Sequence, residues 1–156
     1  MKILCWNVRG LRSIRAFQVL LRVKKVYQPD VLFLMETKVD HGCMENIRVK
    51  LGFGGKLVVN SERKKGGLCL LWRDGADISL LSYSKYHIDV QVLEQRMNPW
   101  RLTGFYGHPV ASQRHYTWTL LRRLRDMSSL PWVYAGDFNE ILEVRRSWAV
   151  LSGRIY

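Results

Sequence analysis

Cysteine is scarce in this sequence, with three in 156 residues. Cys5, Cys43 and Cys69 are odd in number and form no CxxC pair, which argues against a disulfide framework or a thiolate zinc site and predicts a reduced compartment. No hydrophobic run is long enough to span a bilayer. The apolar start Met1–Asn7 is too short for a signal peptide and is followed by Arg9, Arg12 and Arg15 rather than a cleavage site, so the expectation is an intracellular, soluble chain that is not secreted. Acidic residues are few, 13 against 25 lysines and arginines, and the formal net charge is +12. That balance excludes an acidic, self-repelling chain and favours a polyanionic partner, nucleic acid first and an anionic membrane surface second; a basic, solvated surface explains the charge equally well. No aspartate follows Asp137, and no histidine follows His115.

Hydrophobic residues, by contrast, make up 47% of the chain, enough to build one real core. Residues 2–8 form an apolar run around Trp6 that ends at Arg9-Gly10, a buried strand leaving its sheet at a glycine turn. Ile14, Phe17, Leu20, Leu21, Val23 and Val26 recur at helical spacing, which predicts a helix over about 13–27, stopped by Pro29. Residues 30–35 are continuously hydrophobic, as a strand covered on both faces is. Asp40 is placed to cap a helix running to Leu51, closed by Gly52.

Strands follow at 57–59, 67–72, 77–81, 87–93 and 100–106, several with the alternation of a sheet that has one wet face. A helix over about 112–127 carries Tyr116, Leu120, Leu121 and Leu124 on one side and Arg122, Arg123 and Arg125 on the other. The run 131–135 is a last buried strand, ending at Gly136-Asp137-Phe138-Asn139. This order of elements predicts a mixed α/β layered domain with helices packed outside sheets.

Polar residues fall where these strands end: Asn7, Glu36, Tyr106, and Asp137 with Asn139. Each alone is compatible with a turn former or an N-cap. Five together point to a crevice of the kind that open α/β folds build at strand ends. Carboxylates such as Glu36 and Asp137 are hard oxygen ligands suited to Mg²⁺, and asparagine amides both ligate and hydrogen-bond phosphate oxygens. A tyrosine hydroxyl donates to a phosphoryl oxygen as charge builds on it. Phosphodiester hydrolysis is the reaction such a set serves.

Five runs carry a resemblance: Trp6-Asn7-Val8-Arg9-Gly10-Leu11, Met35-Glu36-Thr37-Lys38, Gly66-Gly67-Leu68-Cys69-Leu70-Leu71-Trp72, Phe105-Tyr106-Gly107 and Gly136-Asp137-Phe138-Asn139-Glu140-Ile141-Leu142. In this order they resemble the endonuclease/exonuclease/phosphatase superfamily and, more narrowly, the apurinic-type endonuclease domain of plant LINE (non-LTR) retrotransposons. Gly107-His108-Pro109, Arg114-His115 and the run 118–124 resemble that subgroup too. The resemblance implies an α/β sandwich of two β-sheets flanked by helices, with Mg²⁺ (or Mn²⁺) as cofactor, DNA as partner, and a nuclear site of action. It implies Glu36 as the metal-binding glutamate with Asn7 beside it, Tyr106 on the scissile phosphate, Asp137 positioning the water or assisting the leaving group, and Asn139 orienting the phosphate.

The family's later aspartate and its final Asp-His pair have no counterpart here. A partial domain over 1–142 with an incomplete second sheet, a divergent tail over 143–156, and absent or impaired catalysis are therefore expected. Two other readings stay open: a nucleic-acid-binding remnant that uses Lys64, Lys65, Arg122, Arg123 and Arg125 on phosphates, and a phosphatase of the same superfamily.

Overall fold

The computed structural model describes residues 1–62, 65–95 and 97–140 together with the backbone of 150–151. Chain order is β1 (Ile3–Asn7), α1 (Ile14–Tyr27), β2 (Val31–Met35), α2 (His41–Leu51), β3 (Gly55–Val59), β4 (Leu68–Trp72), β5 (Asp77–Ser84), β6 (His87–Leu93), β7 (Trp100–Tyr106), α3 (Arg114–Asp126), β8 (Trp132–Asp137) and β9 (Val150–Leu151). One sheet has the order β3-β4-β2-β1-β9 and the other β5-β6-β7-β8. Most neighbours are antiparallel; β1 with β2 and β7 with β8 are the parallel pairs.

The two-residue period of a strand assigns the layers. On one face of the first sheet Leu4, Leu32, Leu34, Cys69 and Leu71 pack under Leu20 of α1 and Met44, Ile47 and Leu51 of α2. On the other face Val31, Phe33, Met35, Leu68 and Leu70 meet Ile88, Val90, Val92, Trp100, Leu102 and Tyr106 of the second sheet. The second sheet's outer face lies under α3, giving four layers, α/β/β/α. Gly104 belongs to the inner face of β7, where an added Cβ would come within 2.5 Å of the Phe33 ring. The missing side chain is what lets the two sheets close at that point.

Local chemistry sets the helix ends, at Asp40 and Gly52 as the sequence suggests. The Ser13 hydroxyl accepts from the Ala16 N–H and caps α1; the Asp40 carboxylate does the same for Cys43 at the start of α2. Gly52 closes α2 in the left-handed region at φ 71°. Ile14 and Val26, placed on the apolar stripe by spacing, are exposed, because the sheet reaches only the middle of α1. In α3 the buried stripe is Thr117, Leu121 and Leu124, whereas Tyr116, expected on the apolar side, points to solvent. Thr117 turns inward because its hydroxyl accepts the backbone N–H of His108. The first turn, Ala111–Gln113, is a 3₁₀ helix, so the α-helix starts two residues later than the spacing suggests. The divergent tail expected over 143–156 lies outside the described residues except at 150–151, whose backbone pairs with Ile3 and Leu4 of β1.

One feature overturns the sequence pattern. The alternation in β6 and β7 predicts a wet outer face, yet Asp89, Arg101 and Thr103 on that face are each 1% exposed or less. The Arg101 guanidinium donates through Nε and Nη2 to both Asp89 oxygens at 2.7–3.0 Å, and Nη1 donates to the Leu124 carbonyl near the end of α3. Thr103 donates to Asp89 at 2.6 Å and accepts from the Trp132 indole at 2.8 Å, while Arg101 also lies over the Trp132 ring. A buried charge survives only when paired and hydrogen-bonded, and here every polar atom of the pair that faces α3 has a partner.

His87, at the start of β6, is buried with Ser84 at Nδ1 (2.8 Å) and Ser82 at Nε2 (3.1 Å). Burial pushes its pKa below the ordinary value of 6.5; nearby Asp89 opposes that shift and Arg101 adds to it.

Two outcomes follow from this layer. Asp89→Ala strands the Arg101 charge and should destabilise the fold by about 3–5 kcal/mol in urea titrations, whereas a pair that mattered little would leave the midpoint unmoved. For His87 the folded pKa lies below the unfolded one, so its contribution is fully present above about pH 6.5 and is lost as the pH falls from there towards the folded value. Thermal unfolding from pH 7.5 to 5 should show this loss, and His87→Gln should flatten that part of the curve.

Candidate active site at the strand ends

Face-to-face packing brings the C-terminal ends of the two parallel pairs to one edge. Asn7 is in register with Met35, which precedes Glu36, and Tyr106 is in register with Asp137. Asn7 follows Ile3 and Cys5 on the inner face of β1, Tyr106 follows Trp100 and Leu102 on that of β7, and Asp137 follows Val133 on that of β8. Strict alternation would turn Glu36 away, because Met35 already faces inward. Glu36 instead adopts the left-handed region, φ 53°, which returns its carboxylate to the seam. Arg9, Lys38 and Asn139 also have positive φ, between 52° and 55°, so of the four site-bearing strands β1, β2 and β8 are each left by a segment that bends sharply at the site. Such conformations cost about 1–3 kcal/mol each in residues other than glycine and cluster at functional sites.

The side chains form one connected set. The Asn7 amide Nδ2 donates to Glu36 Oε1 at 2.9 Å and to Asp137 Oδ2 at 3.2 Å, bridging the two sheets. Its own Oδ1 accepts the Arg9 N–H at 3.1 Å, so as placed Asn7 holds the two carboxylates from its donor side. The Tyr106 hydroxyl donates to Glu36 Oε1 at 2.8 Å. The Asn139 N–H donates to Asp137 Oδ1 at 2.9 Å and its amide to the Gly107 carbonyl at 2.6 Å. Backbones pass closely here: a Cβ on Gly107 would lie 2.1 Å from the Phe138 carbonyl oxygen, and one on Gly136 1.8 Å from that of Phe105.

Burial raises the Glu36 pKa, but hydrogen bonds from Asn7, Tyr106 and Lys38 and the Lys38 charge outweigh it, so the carboxylate is held below its ordinary range. Tyr106 moves the other way: burial and the adjacent Glu36 push its pKa well above 10, which keeps the hydroxyl protonated as a donor at neutral pH. Lys38, whose Nζ lies 3.3 Å from Glu36 Oε2, was not among the residues singled out from sequence. The Met35 thioether, which accepts the Asp137 N–H at 3.2 Å, was not either. Lys38 stands two residues past Glu36 in a run already recognised, but only the two left-handed residues bring its ammonium back, and backbone angles are not written in residue types.

The basic residues expected on DNA divide. Lys65 is next to Gly66 and Gly67, whose carbonyls accept the Lys38 and Thr37 N–H groups, so it flanks the site. Lys64 lies outside the described residues. Arg122, Arg123 and Arg125 are exposed near the end of α3, beside the start of β7, about 17 Å of strand away from Tyr106. The structure does not bring them to the strand-end site.

The donor set suits a hard divalent cation. Among the described residues no three His, Cys, Asp or Glu side chains stand together as a closed cage. Two carboxylates held by one amide are instead the type of partial oxygen site that Mg²⁺ occupies while keeping water and a substrate phosphate.

The α/β/β/α sandwich thus carries this polar set where the ends of its two parallel pairs converge. The chain belongs to the endonuclease/exonuclease/phosphatase family, whose model matches residues 4–153. No curated protein sequence matches it. Among solved structures it is similar to an AP endonuclease from Archaeoglobus fulgidus, at 23% identity and TM-score 0.65, covering 92% of this chain and 59% of that one. It is similar to the endonuclease domain of TRAS1, a telomere-specific non-LTR retrotransposon, at 17% identity and TM-score 0.62, covering 88% and 60%. The 3′ phosphatase NExo from Neisseria, bound to a product DNA hairpin, is similar at 22% identity and TM-score 0.63, covering 89% and 58%. The chain spans about three fifths of the length of each of these three.

Asn7→Ala should weaken Mn²⁺ binding by about 10- to 100-fold in calorimetric or paramagnetic titrations, because both carboxylates lose the amide that orients them. An unchanged affinity would remove Asn7 from the site's support.

Proposed function

We propose that this chain is the metal-dependent phosphodiesterase domain of a LINE-type (non-LTR) retrotransposon DNA endonuclease, and that these 156 residues by themselves are strongly impaired in catalysis. The observation that carries the reading is the convergence of Asn7, Glu36, Tyr106, Asp137 and Asn139, from four strand ends in two sheets, into one hydrogen-bonded set.

In this reading Glu36, with Asn7 beside it, holds Mg²⁺ or Mn²⁺. Such an ion, when bound, neutralises charge on the phosphodiester under attack. Tyr106, kept protonated, donates to a phosphoryl oxygen where negative charge develops. Asp137, fixed at one oxygen by Asn7 and at the other by the Asn139 N–H, positions the attacking water or assists the leaving group, and Asn139 orients the phosphate. DNA is favoured over small phosphomonoesters by the net charge of +12 and by Lys65 beside the site. A nuclear site of action belongs to the same reading.

Impairment rests on the histidines. His87 is enclosed by two serines, His108 Nδ1 accepts the Val110 N–H, and His115 Nδ1 pairs with the Ser112 carbonyl oxygen. Among the described residues no histidine hydrogen-bonds to the strand-end set. Positioned acid–base assistance is worth about 10²–10⁴-fold in rate, and its absence should cost that order.

The test is nicking of supercoiled plasmid with Mg²⁺ or Mn²⁺ by the 156-residue chain, by its Glu36→Gln variant, and by a version extended with a family-type C-terminal segment carrying the Asp-His pair. The extended protein should nick at least about 10²-fold faster than the chain alone and lose that activity in Glu36→Gln. Efficient nicking by the chain alone, lost in Glu36→Gln, would refute the impairment. Release of phosphate from inositol phosphates without nicking would replace the endonuclease with a phosphatase.

A further inference from the structure

At the opposite pole, the C-terminal ends of α1 and α2 and the end of β4 enclose an open cleft of about 770 Å³. Asp30, on its wall, and Glu36, in the strand-end site, bracket β2, so about 20 Å of chain separates the two places. Five cations line the cleft, Arg22, Lys24, Lys25, Lys50 and Arg73, against a single carboxylate, Asp30. That carboxylate is already engaged: Oδ2 accepts the Lys2 N–H at 2.6 Å and Oδ1 pairs with Arg73 at 3.0 Å. Among the described residues Arg22, Lys24, Lys25 and Lys50 form no ion pair.

Basic residues commonly occupy the last turns of helices, where they offset the macrodipole. That accounts for Lys24, Lys25 and Lys50 taken singly, but Arg22 and Arg73 lie outside those last turns. Lys24 lies over the ring of Phe53, which lines the cleft, at 5.9 Å, and Lys50, itself a lining residue, lies over that of Phe17 at 5.5 Å.

We infer that this cleft is a second polyanion site that grips the phosphate backbone of duplex DNA away from the strand-end site. The choice of DNA rests on the reading proposed above; the charge and shape do not. A duplex is favoured over a single strand because Phe53, the one aromatic side chain lining the cleft, is 3% exposed and offers no stacking platform. A contact at the far pole lets the protein hold DNA outside the segment presented to the site.

The experiment is fluorescence anisotropy of a short duplex titrated with the full chain in EDTA, at several salt concentrations. No turnover is measured, so a failure of the nuclease reading leaves the result legible. Arg22→Glu/Lys25→Glu, both exposed, should weaken binding about tenfold and make the salt dependence shallower by about two phosphate contacts, a change of roughly 1.8 in the logarithmic slope. Lys50→Gln, from across the cleft, should shift affinity in the same direction. Arg122→Glu/Arg123→Glu, exposed on α3 over the outer face of the other sheet and with the same change in net charge, should lose clearly less. Equal losses in the two double variants would show a general charge effect and overturn the site, as would no loss in the cleft variants. A cleft variant that keeps DNA affinity but loses binding to phosphatidylserine vesicles would overturn it in favour of a membrane surface.

Discussion

Everything distinctive here depends on the apolar seam between the sheets. Met35, Tyr106 and their neighbours close the two inner faces at a fixed offset, and that offset decides which strand ends meet. Because β1 with β2 and β7 with β8 each run parallel, each sheet delivers two chain exits to the same edge. The Asn7 amide then joins a carboxylate of one sheet to a carboxylate of the other. A slip of one residue in either register would reverse the faces and send half the polar set outward.

The outer layers serve the seam in different ways. On the first sheet ordinary hydrophobic burial under α1 and α2 is enough. On the second, α3 is fastened by a charge: the Asp89 and Arg101 pair, sealed by Thr103 and Trp132, ties the sheet to the Leu124 carbonyl. Such pairs contribute less to stability than their Coulomb attraction suggests, but they penalise any alternative seating of the helix that would leave a charge unpaired.

Much of this was legible in sequence. The helix cap at Asp40, the start of α1 near Ser13, the continuous hydrophobicity of β2 and the bounds of β6 and β7 follow from residue types, because capping and strand period are local effects. The five strand-end polar residues are legible for the same reason, and the structure brings them together. What was hidden is what depends on partners distant in sequence. Asp89 and Arg101 read as the wet side of alternating strands, since nothing local announces that α3 will cover them. Lys38 was passed over because its place depends on left-handed backbone at Glu36. Tyr116, expected on the apolar side, yields that side to Thr117, whose hydroxyl accepts the His108 N–H.

The link from Asn7 to Asp137 spans 130 positions of the chain. During synthesis the first carboxylate of the set is made early, but its amide support stays half-used until β8 has been added to β7. Contacts so far apart in sequence form late, after loop-closure entropy has been overcome. A nascent or partly folded chain therefore displays Glu36 without Asp137, and the polar set completes itself only when both sheets have closed. The site doubles as a record that the two sheets have met.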